Sequence, residues 1–137
     1  MSSMAAIDPR TLGRWAAAFA LAVVVAAVGT AAHRAYSPWG AAAALALVLA
    51  SSLLVRAWVG LGALVAYGAA WIAVVQVLSL SGPGGDVLIP AGQRVGYVWI
   101  IGGMVMIAAG AFAPRRWFSD APRVRAVAAD GAGDPDD

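Results

Sequence analysis

Residues 57–80 read AWVGLGALVAYGAAWIAVVQVLSL, and none of these side chains is charged. At about 1.5 Å per residue, a helix of this length exceeds the roughly 30 Å hydrocarbon core of a bilayer. Three further runs, 15–32, 39–55 and 95–113, are also apolar and uncharged. Because lipid offers no hydrogen bonds to the backbone, such runs are expected to be helical. The sequence therefore predicts an all-α membrane protein with four transmembrane helices.

The composition of the chain excludes several other classes of protein. Hydrophobic residues make up 62% of its 137 residues and charged residues 12%, about half the charged fraction of a soluble domain. A soluble helical bundle would need polar outer faces, which the four runs lack. The basic residues are all arginines near the ends of the runs, whereas nucleic-acid binding requires a basic face. The absence of cysteine excludes thiol chemistry and thiolate metal sites.

Sequence patterns typical of helix starts precede the first two apolar runs. In the polar lead, residues 1–14, Asp8 followed by Pro9 is typical of a helix N-cap and first helical position. Ser37 and Pro38 repeat this pattern before the second run. The sequence thus predicts a cytoplasmic lead that passes into the first helix.

The lead and first run also resemble a cleaved secretory signal. They combine a basic start, an apolar stretch and small residues at 29–32. However, the run is longer than a typical signal core and starts at Trp15, a residue type that favours membrane interfaces. We therefore expect a retained helix, with cleavage as the alternative.

Arg56 is predicted to separate the second and third helices. A single helix over 39–80 would be about 60 Å long, which is twice the bilayer core. An arginine is costly at the bilayer centre but tolerated at its surface. The chain is therefore expected to reverse near residues 54–58, giving helices over 39–55 and 57–80.

Residues 81–94 form the one sizeable predicted loop. Its first half, 81–86, is rich in glycine and contains a proline, as turns are. The apolar segment 87–90 is too short to cross a bilayer. Asp86 and Arg94 are placed to pair across this outer loop, at a gain of about 0–1 kcal/mol.

Pro114 is expected to end the fourth helix at the preceding residue. This gives a membrane domain over 15–113 and a carboxyl-terminal segment over 114–137. The segment begins as a basic juxtamembrane stretch and ends in glycine and aspartate. Such a composition cannot form a core, so the tail is predicted to be disordered and cytoplasmic.

The arginines predict the orientation of the chain. If the amino terminus lies in the cytoplasm, seven arginines fall on that side and two, Arg34 and Arg94, fall outside. The seven are Arg10, Arg14, Arg56, Arg115, Arg116, Arg123 and Arg125. The positive-inside rule therefore predicts two antiparallel helical hairpins in the cell membrane with both termini cytoplasmic. The last four of these arginines can attract anionic lipid headgroups weakly in addition to determining the orientation of the chain.

Small residues recur on single helical faces. Gly96, Gly103 and Gly110 of the fourth helix are seven residues apart, and Gly92 adds a G-x-x-x-G spacing. Other small residues at helical spacing are Gly62, Ala66 and Ala70 in the third helix and Ala18, Ala22 and Ala26 in the first. Such stripes allow close helix packing in lipid. The preferred interpretation is packing within the protein; docking on a partner helix and a pore or substrate groove are the alternatives.

Few polar residues interrupt the spans. Gln76 and Tyr67 are the main ones, and interhelical hydrogen bonding is the expected role of Gln76. No Asp, Glu, His or Lys lies deep in a run, which argues against a proton-coupled transporter. His33, the sole histidine, is interpreted as a polar anchor at the outer membrane boundary.

The sequence carries no pattern typical of catalysis. It lacks paired carboxylates, a nucleophile–histidine arrangement, a phosphate-binding loop and a zinc-protease motif. One histidine cannot form a metal site. We therefore expect no enzymatic activity, cofactor or metal.

A motif near the fourth helix resembles a known group of proteins. It comprises residues 84–90 (GGDVLIP), 96–99 (GYVW) and the pair Gly102 and Gly103. This motif is similar to that of small uncharacterised four-span membrane proteins of high-GC bacteria, and the exclusive use of arginine and aspartate is typical of such genomes. The resemblance implies the four-span architecture, and because that group carries no assigned activity, it adds no mechanism.

Two functions are compatible with these features. The first is a non-catalytic accessory or scaffold subunit whose helices pack on other membrane proteins. The alternative is a small transporter or channel that assembles from copies of itself. The alternative predicts that Gln76, Tyr67 and the glycines of the fourth helix line a hydrated path.

Overall fold

The computed structural model of the chain describes residues 8–36, 38–80 and 94–119, and every regular element in these ranges is helical. The elements are α1 Pro9–Ala32, α2 Trp39–Trp58, α3 Leu61–Leu80, α4 Arg94–Phe112 and a 3-10 turn, Arg115–Trp117. The all-α prediction is confirmed over this part of the chain. Helices α1, α2 and α3 are long and apolar enough to cross a bilayer, whereas the apolar part of α4, Gly96–Phe112, is shorter.

Several predicted features lie outside the described residues. They are the Ser37 cap, the loop residues 81–93 with Asp86 and Gly92, the pairing of Asp86 with Arg94, and residues 120–137 of the tail. These features stay predictions.

Helix α1 begins where the start signal predicts. The Asp8 side chain accepts a hydrogen bond from the Arg10 amide at 3.4 Å, and Pro9 is the first helical residue. Residues 9–14 therefore extend α1 beyond the apolar run 15–32. The reason is that a polar first turn can extend a transmembrane helix beyond its apolar run, since its side chains reach the aqueous interface.

The reversal between α2 and α3 lies later than predicted. Helix α2 continues through Arg56 to Trp58, and the turn falls at Val59 and Gly60. Gly60 has φ +112°, a backbone conformation that glycine adopts without the steric penalty of a side chain. The predicted boundary at Arg56 is therefore wrong, because the turn at Val59 and Gly60, three to four residues later, ends the helix.

Contacts between helices establish their directions. Helices α1 and α3 are parallel, because Gly62 near the start of α3 lies against Trp15 near the start of α1. Helices α2 and α4 are parallel, because Gly110 near the end of α4 faces Ser52 in the second half of α2. The short connection 33–38 makes α2 antiparallel to α1. Consecutive helices therefore run in opposite directions.

The closest packing joins helices that are not consecutive. Helix α1 makes its most extensive contacts with α3, and α2 makes its most extensive contacts with α4. Around the bundle the order is α1, α3, α4, α2, and the consecutive helices α3 and α4 contact each other least among the adjacent pairs. The predicted hairpins are thus present in chain order, but packing between parallel helices holds the bundle together.

The bundle buries small and aromatic residues and exposes aliphatic ones. Tyr67, Trp71 and Trp99 are the largest fully buried side chains. The outer surface includes Phe19, Val24, Val65, Val77, Ile101, Val105 and Phe112. Water disfavours such a surface, whereas lipid tails solvate it. The distribution of apolar residues therefore agrees with insertion in a membrane.

Candidate functional site

An aromatic cluster, formed by His33, Trp71 and Trp99, fills the bundle near the carboxyl end of α1. The His33 ring stacks on Trp99 with 5.6 Å between centroids and 14° between planes. Trp71 meets Trp99 edge-on at 5.3 Å and 61°. The Trp99 indole donates a hydrogen bond to Thr30 Oγ1 at 3.2 Å. These contacts connect α1, α3 and α4 through one group of rings.

His33 is fully buried, although the sequence suggested an anchor at the membrane boundary. Its Nδ1 donates to the Thr30 carbonyl oxygen at 2.7 Å, since that oxygen can only accept. Nε2 is buried and has no hydrogen-bond partner within the described part of the chain. Desolvation lowers the pKa of His33, and the charge of Arg34 lowers it further, against the raising effect of hydrogen bonds with Thr30 and Gly29. Burial therefore favours the neutral form of the ring.

Two glycines make room for the aromatic cluster. A Cβ placed on Gly29 would lie closer than 3.0 Å to the Trp99 ring, and one on Gly103 would lie equally close to the Trp71 ring. Real Cβ atoms do not tolerate such distances. The indole rings of Trp99 and Trp71 thus lie directly on the backbones of α1 and α4.

A polar contact ties α2 to α3 in the other half of the bundle. Ser51 Oγ donates to the backbone carbonyl oxygens of Leu47 at 2.8 Å and Val48 at 3.0 Å. Tyr67 Oη lies 2.6 Å from Ser51 Oγ, and because the serine hydrogen is already engaged, the tyrosine donates. Ser52 donates to the Val48 carbonyl oxygen at 2.7 Å and lies against Gly110. Tyr67 is therefore a structural hydrogen-bond donor in the interior.

A groove between α3 and α4 opens on the outside of the bundle. It has a volume of about 370 Å³. Its lining is entirely apolar: Leu61, Leu64, Val65, Gly68, Ala69 and Ile72 from α3, and Met104, Ile107, Ala108 and Ala111 from α4. We call this surface the α3–α4 groove. It exists because α3 and α4 contact each other sparsely and because several of its lining residues are small.

Gln76 extends the line of the α3–α4 groove. It lies four residues after Ile72, on the same helical face as Val65 and Ala69. The side chain is exposed on the outside of the bundle. Its position therefore does not suggest the expected hydrogen bond between helices of this chain. An amide on a lipid-facing surface lacks the water that would hydrogen-bond it.

The other predicted site residues are distributed over the bundle. Gly96 and Ala70 are buried, Ala66 is half-buried, and Gly62 faces the Trp15 ring. The structure brings Gly103 next to Trp71 and Gly110 next to Ser52, both inside the bundle. It does not bring Gln76 together with Tyr67. Arg10, Arg14, Arg94 and Arg116 are exposed, and Arg56 is half-buried.

The aromatic cluster was missed by reasoning from sequence. The signal that was available is the position of Trp71, in the middle of an apolar run instead of at its end. A tryptophan at that depth is far from the interface where its N–H normally finds a partner. Such a residue is expected to point into the bundle.

The described residues hold no group of three or more His, Asp or Glu side chains that could bind a metal ion. The interior is packed with aromatic and small residues and offers hydroxyls that are already hydrogen-bonded. Comparison of the chain with protein-family models, curated proteins and solved structures finds no match. The α3–α4 groove, in contrast, opens outward and is lined by apolar side chains.

Proposed function

We propose that this protein is a non-catalytic accessory or scaffold subunit of the cell membrane that packs on a helix of another membrane protein. The observation that carries this proposal is the α3–α4 groove, an apolar cleft that the described part of the chain leaves unfilled. Filling such a cleft with side chains of a second helix gains van der Waals contacts that mobile lipid tails provide less well.

Four spans with both termini in the cytoplasm form part of this proposal. Helix α4 lies alongside α2 and α3 and runs opposite to α3, as a fourth span would. Arg10, Arg14, Arg56 and Arg116 belong to one end of the bundle, and Arg34 and Arg94 to the other. The end with more arginines is expected to face the cytoplasm.

The proposed occupant of the groove is one transmembrane helix of a partner protein. Gly68, Ala69, Ala108 and Ala111 allow the backbone of that helix to approach closely. Gln76 lies at one end of the same helical face. It requires a polar group of the partner helix at the same depth in the membrane. An interhelical hydrogen bond of this type contributes about 0.6 kcal/mol on average and specifies which partner fits.

The alternative, a transporter or channel made of several copies, receives less support. It requires Gln76, Tyr67 and the α4 glycines on one path, whereas Gln76 faces outward and Tyr67 lies inside. The resemblance to four-span proteins of high-GC bacteria adds no activity to either proposal.

The test is site-specific photo-crosslinking in intact membranes. A photoreactive residue at Val65, in the groove, is compared with one at Val24, which is exposed on α1. We expect one partner to be crosslinked at Val65 and not at Val24, with the crosslink mapped to a transmembrane segment of that partner. Ala108→Trp should abolish the crosslink, while Ala46→Trp on the exposed face of α2 should preserve it.

Two results would contradict the proposal. One is equal crosslinking of the same proteins from both positions, which would indicate random contact. The other is a product that contains two differently tagged copies of this chain, which would favour self-assembly.

A further inference from the structure

The two walls of the α3–α4 groove touch each other at one end of the groove. There the Trp71 ring of α3 lies on the backbone of Gly103 in α4. The next residues along the chain, Ile72 and Met104, both line the groove. The contact between Trp71 and Gly103 therefore sets the separation of the two walls at this point.

At the other end of the groove, the walls pack on different helices. Gly62 of α3 faces the Trp15 ring of α1, and Gly110 of α4 faces Ser52 of α2. In agreement, α3 contacts α1 and α4 contacts α2 far more extensively than α3 and α4 contact each other. Neither wall supports the other at this end, so the width of the groove depends on the contact at Trp71.

The Trp71 ring has little freedom to move aside. It is fully buried, and it meets the Trp99 ring edge-on at 5.3 Å between centroids. Trp99 is itself fixed by its hydrogen bond to Thr30 at 3.2 Å and by its contact with Gly29. A close-packed interior leaves no void that could take a displaced indole. A change at the contact of Trp71 with Gly103 is therefore expected to move the helices and not the ring.

We propose that Trp71 is a positioning residue that sets the width of the α3–α4 groove and thereby selects the helix that fits there. The choice of a helix as occupant rests on the proposed function, whereas the width is a property of this chain alone. A gap of about 0.5–1 Å between two surfaces forfeits about a quarter to a half of their dispersion attraction. A small change in the separation of the walls therefore decides whether a helix contacts both of them.

The test measures the distance between the walls in the purified full-length chain. Because the chain has no cysteine, Val65→Cys and Val105→Cys attach one nitroxide label to each wall at exposed positions. Double electron–electron resonance then gives the distance between the labels. A Cβ on Gly103 would lie closer than 3.0 Å to the Trp71 ring, whereas ordinary contact begins at 3.4 Å. Gly103→Ala should therefore lengthen the label distance by about 1 Å, and Trp71→Phe, with its smaller ring, should shorten it.

Gly40→Ala is the matched control. A Cβ on Gly40 would also lie closer than 3.0 Å to a neighbour, the Ala32 carbonyl oxygen, but this contact joins α2 to α1. It should leave the label distance unchanged. Trp71→Phe combined with Gly103→Ala should restore the wild-type distance, which a general loosening of the bundle would not do. Should Gly103→Ala fail to fold, Trp71→Phe alone decides. Unchanged distances in the folded variants of Trp71 and Gly103, or an equal change in Gly40→Ala, would overturn the proposal.

Photo-crosslinking from Val65 in intact membranes provides the second readout. Gly103→Ala should lower the yield of the partner crosslink several-fold, and the added Trp71→Phe change should restore it. A lengthened label distance with an unchanged crosslink would overturn the selection of the partner by width. Absence of any crosslink in the wild type would instead contradict the proposed function, and the label distances would still decide whether Trp71 sets the width.

Discussion

Individual glycines determine how closely the helices approach. Gly103 receives the Trp71 ring, and Gly29 receives the Trp99 ring, so each indole lies against a bare backbone. In lipid the hydrophobic effect does not drive helices together, and close packing supplies the stabilising contacts instead. A single methyl group at such a position is therefore expected to separate two helices.

Gly103→Ala tests this packing. The added Cβ would lie closer than 3.0 Å to the Trp71 ring, and overpacking of this kind costs about 1–3 kcal/mol. Gly13→Ala is the control, because nothing lies within 4 Å of its Cβ position, and alanine in a helix is about 0.5–1 kcal/mol more favourable than glycine. The free energy of unfolding, measured by SDS titration in mild-detergent micelles, should fall for the first variant and rise slightly for the second. A similar change in both would contradict the packing.

The ends of the helices explain where sequence reasoning succeeded and where it failed. The start of α1 was predictable, because Asp8 and Pro9 act locally and every atom involved is within a few residues. The sequence predicts the α2–α3 reversal at Arg56, because a charged side chain favours the membrane surface. Gly60 reverses the chain instead, and Arg56 is accommodated in the last turn of α2. Local sequence features thus identify a helix end correctly when they all favour the same residue, as at Asp8 and Pro9. They misplace it when they favour different residues, as Arg56 and Gly60 do.

The aromatic cluster could not be predicted from the sequence, for a different reason. It depends on contacts between α1, α3 and α4, and no spacing in the sequence shows which helices are neighbours. Gly103 was recognised as a packing residue, but its partner Trp71 was not.

The carboxyl end of α1 is predicted to loosen on acidification. Burial lowers the pKa of His33 in the folded protein, whereas an unfolded histidine titrates near about 6.5. Between these two pKa values the unfolded state binds more protons, so stability is full above about pH 6.5 and decreases as the pH falls below it. The neighbouring charge of Arg34 also lowers the pKa of His33 and acts in the same direction.

SDS titrations above and below this pH range check the prediction. The wild type should lose stability toward acid, while His33→Gln should show a flatter profile. Parallel losses in the two proteins would assign the pH dependence to other groups.

At the scale of the whole molecule, the bundle fills its interior with its own side chains, whereas its outer surface can contact other molecules. The interior holds aromatic rings and satisfied hydroxyls, and it contains the predicted packing glycines Gly103 and Gly110. The outside holds the α3–α4 groove with Gln76. The groove therefore faces the membrane environment, which is where an accessory subunit would meet partner helices.

Labelling of single cysteines in intact cells tests the central claim, that four spans place both termini in the cytoplasm. The natural chain has no cysteine, so Ser2→Cys, Ala35→Cys and Ala128→Cys each give one reactive site. A membrane-impermeant maleimide should label Ala35→Cys, between α1 and α2, without permeabilisation, and should label the two terminal variants after permeabilisation alone. Labelling of one terminus in intact cells, or protection of Ala35→Cys, would contradict the account.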